Sequence, residues 1–224
     1  MSTILRALVA SLLVVTPVAS QGTGLSSRID ANTLREVQPV LEAAGRDSLP
    51  VAALESKVLE GVAKNVPPQQ IGVVVRALAD ELRGARLTLR DVLPGRPIAE
   101  GEIVAAAMAR RQGIGAETLR MLSVSGPEGA SLEIPMTVLG ELVRRGVPTD
   151  EAASAMSQVM RAGVPMQVAA QIPGRVDGGM SSGAPPGRAL AEALRNLNIP
   201  NPPGRPATPG PPGSGGPPSG RGRP

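Results

Sequence analysis

Of the side chains that carry proton-transfer, nucleophilic and metal chemistry, this chain offers carboxylates, hydroxyls, arginines and two lysines. His, Cys, Tyr, Trp and Phe are absent from all 224 residues. Without His or Cys there is no imidazole base, no thiol nucleophile and no zinc site of the usual kind. Without Tyr or Trp there is no platform on which a sugar or a base stacks. That argues against carbohydrate binding and against sequence-specific recognition of nucleic acid. A Ser-x-x-Lys dyad is missing, because Leu54 and Gly61 stand three residues before the two lysines. Glu100 and Glu102 are two apart, hence on different faces of a helix, and read as a solvated first turn. No run of Asp and Asn with Gly provides an oxygen-only calcium loop. The expectation is a protein that is not an enzyme, with no catalytic residue, no cofactor and no metal.

One constellation stands out. Lys57, Glu60 and Lys64 lie at i, i+3 and i+7, so on a helix both lysines flank one carboxylate on a single face, and they are the only lysines present. Two readings are open: a polar patch that grips an anionic group of a partner, or an exposed salt-bridge ladder of small energetic worth on the wet face of a helix. Gly61 in the same segment marks either close helix packing or a tolerated defect. A second candidate surface is Arg205, Arg221 and Arg223 near the C-terminus, which either dock to anionic envelope polymer or lipid head groups or keep a spacer in solution.

The elements that must position these residues are helical. A core without aromatics is built from Leu, Val, Ile, Met and Ala, which pack helix on helix more readily than they build a sheet. Aliphatic-proline pairs recur at Leu49-Pro50, Val66-Pro67, Val147-Pro148 and Val164-Pro165, with Ile114-Gly115 as a variant. The first two lie 17 residues apart, as do the last two, and the intervals between them are 48 and 33. One step is therefore a helix plus a turn of roughly 16–17 residues. In Arg145-Gly146-Val147-Pro148-Thr149 the glycine takes the left-handed position after a helix, the valine packs back, the proline forbids continuation and Thr149 caps the next helix. The same grammar fits Gly163, Gly113 and, with Asn in place of Gly, Asn65. Between these junctions apolar residues recur at helical spacing, including Ile71, Val74, Val75 and Leu78, and Ile103, Ala107 and Met108. The expected fold is all-α, a compact bundle of short antiparallel helical hairpins over 49–173, preceded by a partly helical lead-in at 21–48.

The termini differ from this body. Residues 1–20 carry Arg6, an apolar stretch and Val18-Ala19-Ser20, the pattern of a cleaved secretory signal too short to span a bilayer, so a mature chain starting at Gln21 and exported to periplasm or medium is expected. No second apolar run predicts a transmembrane segment in that mature chain. Residues 21–173 sum to −1 while 174–224 sum to +4, which places the basic character in the last quarter. There, 174–187 reads as a flexible Gly-rich linker, 188–198 as a short amphipathic helix with Leu190, Leu194 and Leu197, and 199–224 as a disordered Pro/Gly-rich tail.

The segments Leu49-Pro50, Leu54, Lys57, Leu59-Glu60-Gly61, Ala63-Lys64, Val66-Pro67, Ile71 and Val75-Arg76 resemble a pattern in uncharacterised exported helical proteins of G+C-rich bacteria. Ser131-Leu132, Ile134-Pro135, Val138-Leu139, Leu142-Val143 and Arg145-Gly146-Val147-Pro148 are similar to their second half. The resemblance implies an all-helical exported architecture and brings no activity and no site. Two functions are compatible with all of this: a non-catalytic module that works through contacts with a protein partner, or an envelope-associated binder of anionic polymer or membrane surface through its basic C-terminal region.

Overall fold

The structure, a computed structural model, describes residues 25–197. The expected signal at 1–20 and tail at 199–224 lie outside the described residues. Within them the order is α1 (Ala31–Arg46), α2 (Val51–Ala63), α3 (Pro68–Val92), α4 (Glu100–Arg111), α5 (Ala116–Ser123), α6 (Glu133–Arg144), α7 (Thr149–Arg161), α8 (Met166–Ala169), α9 (Ile172–Ser181) and α10 (Pro186–Arg195), with no strand among the described residues. Two helices organise the packing. The 25-residue α3, about 37 Å long at 1.5 Å per residue, touches α1, α2, α4 and α5, and α6 touches α4, α7, α8 and α9. The core is aliphatic throughout, with Leu54, Val58, Leu82, Leu89, Ile103, Leu119, Leu139, Leu142 and Met156 fully buried. Full burial of each such side chain contributes about 1.5–3 kcal/mol.

What bends the chain into this bundle is one turn used six times among the described residues. At Gly146 the backbone is left-handed, φ 85°, its N–H bonds to the carbonyl of Val143 at 2.9 Å, and the N–H of Val147 bonds to Leu142 at 3.1 Å. This pair of bonds satisfies carbonyls that a helix end would otherwise leave open and packs the following aliphatic residue back onto the helix. The same pair closes α1 at Ser48, α2 at Asn65, α4 at Gly113, α7 at Gly163 and α9 at Gly183. In five of the six the residue after the aliphatic one is proline, at positions 50, 67, 148, 165 and 185, and each proline is the N-cap of the next helix.

That last observation corrects the expectation for Thr149. Pro148 holds the N-cap with ψ 138°, and Thr149 is already the first helical residue. Proline suits the position because its φ is preset and the N–H it lacks is one the N-cap does not need.

Residues 174–187 are not a flexible linker. Helix α9 runs through most of them, with Ile172, Pro173 and Val176 buried, and Gly183-Ala184-Pro185 is the sixth junction. Gly183 supplies the left-handed turn, φ 89°, while Gly179 serves contact. A Cβ on Gly179 would lie 2.9 Å from the Cβ of Ala189, so its absence lets α9 and α10 approach closely. Arg145 grips both oxygens of Asp177 at 2.7 and 2.9 Å, tying α6 to α9. The amphipathic segment expected at 188–198 meets helix α10, which runs Pro186–Arg195 and buries Leu190 and Leu194 against its neighbours rather than standing apart. The regular helix-turn unit also breaks down where α3 continues through 25 residues without a junction.

Candidate functional site

Helix α2 buries Leu54 and Val58 and leaves Lys57, Glu60 and Lys64 along its outer side. The structure brings all three together. Lys57 Nζ donates to Glu60 Oε2 at 2.8 Å and Lys64 Nζ donates to Glu60 Oε1 at 2.5 Å, so the carboxylate is bridged on both oxygens. Those hydrogen bonds, from Lys57 and then Lys64, together with the charges behind them, pull the Glu60 carboxyl down to about 2. It is a fixed anion at neutral pH, unsuited to giving up a proton as a general acid. Each ammonium has three donors and spends one on Glu60, so two remain on each side.

Immediately beneath this polar rim, α2 and α3 part to form a cleft of about 150 Å³ whose walls are Gly61, Val66, Ile71 and Val74. The turn at Asn65 folds α3 back against α2, and Val66, the residue that turn packs inward, becomes one wall. Gly61 sets the depth: a Cβ there would come within 2.8 Å of Ile71 Cγ1, so the glycine permits close packing and is not a tolerated defect. Helical spacing places Val74 with Ile71 and Val75 on the apolar stripe. The structure instead leaves it 44% exposed at the cleft, with Val73 beside it 61% exposed. A 100° step per residue explains this, since Val75 takes the buried face and its two predecessors fall outside it. Met108, expected to line the core with Ile103 and Ala107, is likewise exposed. Spacing alone pointed to the lysine-glutamate trio. It missed the apolar wall, whose only sequence signal is the run Val73-Val74-Val75, one valine more than a single stripe can bury.

The other carboxylate pair departs from expectation. Glu102 is fully buried and accepts from Arg96 at 2.6 and 3.1 Å, from the Ala99 N–H at 3.1 Å and from the Leu132 N–H at 2.9 Å. Desolvation pushes its carboxyl up, but the Arg96 guanidinium and the two backbone donors outweigh it and hold it below the ordinary glutamate value. Its role is to fasten the loop before α4 to the start of α6. A solvated first turn describes Glu100, which is exposed, and not Glu102.

Arg205, Arg221 and Arg223 lie outside the described residues. Among the described residues no group of His, Cys, Asp or Glu is placed to hold a metal ion, and no helix is long and apolar enough to cross a membrane. Set against protein-family models, characterised proteins and solved structures, the chain matches none.

Proposed function

We propose that this is an exported, non-catalytic helical module that works by contacting another protein. The observation that carries the reading is the α2–α3 edge. It combines an apolar cleft, solvent-facing Val73 and Val74, and a charged rim whose ammonium groups retain free donors. Helix-flanked apolar grooves with polar rims are a recurrent mode of peptide and protein recognition. The address rests on residues 1–20, and mass spectrometry of the naturally exported protein is expected to find Gln21 at the N-terminus. An intact Met1 on that form contradicts cleavage.

Crosslinking followed by pull-down of the chain from its native envelope tests the function. A specific protein partner, retained when 201–224 is deleted, is the expected result. Recovery of lipid or anionic polymer in a salt-sensitive manner, lost on the same deletion, overturns the reading in favour of surface binding through Arg205, Arg221 and Arg223.

A further inference from the structure

Resting on that reading, we infer that the α2–α3 cleft receives an acidic peptide segment of the partner: one aliphatic side chain enters between Val66, Ile71 and Val74 while carboxylates beside it engage Lys57 and Lys64. Size and charge both lead to this occupant. A space of about 150 Å³ accommodates a guest the size of a benzene ring, hence a single side chain and not an extended acyl chain or a sugar. The walls are aliphatic, so the entering group is apolar. The rim has two ammonium groups against one carboxylate that is already bridged by both, which leaves a net positive edge with unspent donors. Residues acidic on either side of an apolar one complement that arrangement, whereas basic neighbours would meet like charge.

The probe is a displayed library of random short peptides, selected at low salt on the full chain, on a Lys57→Glu/Lys64→Glu double variant and on Val74→Asp. The wild-type chain is expected to enrich peptides with an aliphatic residue flanked by Asp or Glu. The charge-reversed variant is expected to bind them on the order of tenfold more weakly and to turn towards Lys- and Arg-flanked sequences. Val74→Asp is expected to lose both sets. All three substitutions are at exposed or part-exposed positions, and superimposable circular dichroism melts establish that the fold is retained. Absence of enrichment, enriched peptides without acidic bias, or equal capture by the charge-reversed variant overturns the inference. The two levels of the proposal separate cleanly in the native pull-down. A protein partner held equally by wild type and by Lys57→Glu/Lys64→Glu removes the acidic-peptide cleft and leaves the interaction module standing. Failure of both forms to capture any protein removes the module itself.

Discussion

Glu60 and Glu102 are each clasped by cationic or N–H donors on more than one side, and each is held below the ordinary glutamate value, yet the two regions do opposite things. Around Glu102 every donor comes from the chain itself and water is excluded, so the charge is fully spent on joining the α3–α4 loop, α4 and α6. Around Glu60 the carboxylate is also fully engaged, but the lysines that engage it are solvated and each keeps two of its three donors unspent, and an open apolar cleft lies beside them. Burial decides which charged cluster is scaffold and which is surface. A buried pair cannot lose a partner cheaply, whereas an exposed one contributes little to folding and is free to serve recognition.

The largest expected effect is on the buried side. Glu102→Ala strands the Arg96 guanidinium and two backbone donors, and is expected to cost about 3–5 kcal/mol in denaturant unfolding. Its pH dependence follows from the lowered carboxyl. The stabilisation is fully present above the ordinary glutamate value of 4.5 and is lost as pH falls through the lower folded value. The melting-temperature advantage of wild type over Glu102→Gln is therefore expected to shrink below about pH 4.5 and not on the alkaline side. A constant difference across that range would show that Glu102 acts through packing alone.

Next in size is the contact that shapes the cleft. Gly61→Val drives a branched side chain into Ile71, and overpacking of this kind costs about 1–3 kcal/mol. The melting temperature is expected to fall and peptide capture to fall with it, since the wall moves. Unchanged binding would mean that the cleft is not where recognition occurs.

A backbone effect follows. At Gly146 a Cβ would meet Pro186 only at 3.7 Å, an ordinary contact, so the cost of Gly146→Val comes from the left-handed φ of 85° alone. About 1–2 kcal/mol is expected for an L-residue so placed, read by denaturant titration. The junction lies away from α2 and α3, so peptide capture at temperatures below melting is expected to stay intact.

These junctions are also where the sequence was most informative. Asn65, Gly113, Gly146 and Gly163 were identifiable because each combines a residue tolerant of positive φ, an aliphatic residue and a proline or glycine, all local features. Gly183-Ala184-Pro185 obeys the same grammar but stands in a glycine-rich run with Gly174, Gly178 and Gly179, and the reason for Gly179 is tertiary: Ala189 packs where its side chain would be. The burial of Glu102 is invisible in the local sequence for a related cause. Its partner Leu132 is 30 residues away, and the N-cap before α4 is Ala99, which offers no side-chain acceptor to signal a capping arrangement. The lysine-glutamate trio is legible because it lies within α2 and its C-cap residue, Lys64. The cleft beside it was not, since it exists only once the Asn65 turn sets Ile71 and Val74 against Gly61 and Val66.

The smallest expected effect sharpens the comparison most. Glu60→Ala is expected to leave the melting temperature unchanged at neutral pH, because the trio is solvent-exposed and none of the fold depends on it. A substantial loss of stability would place Glu60 with Glu102 as scaffold.

The most direct measurement is site-specific photo-crosslinking in the producing cell, with a photoreactive residue in place of Val74 and, as a control of similar exposure on the same helix, in place of Leu87. A discrete protein adduct from position 74 that is absent from position 87, and that disappears when Lys57 and Lys64 are changed to Glu, is the expected result. Adducts of equal kind and yield from both positions, or none from position 74, would contradict the assignment of the α2–α3 edge as the recognition surface.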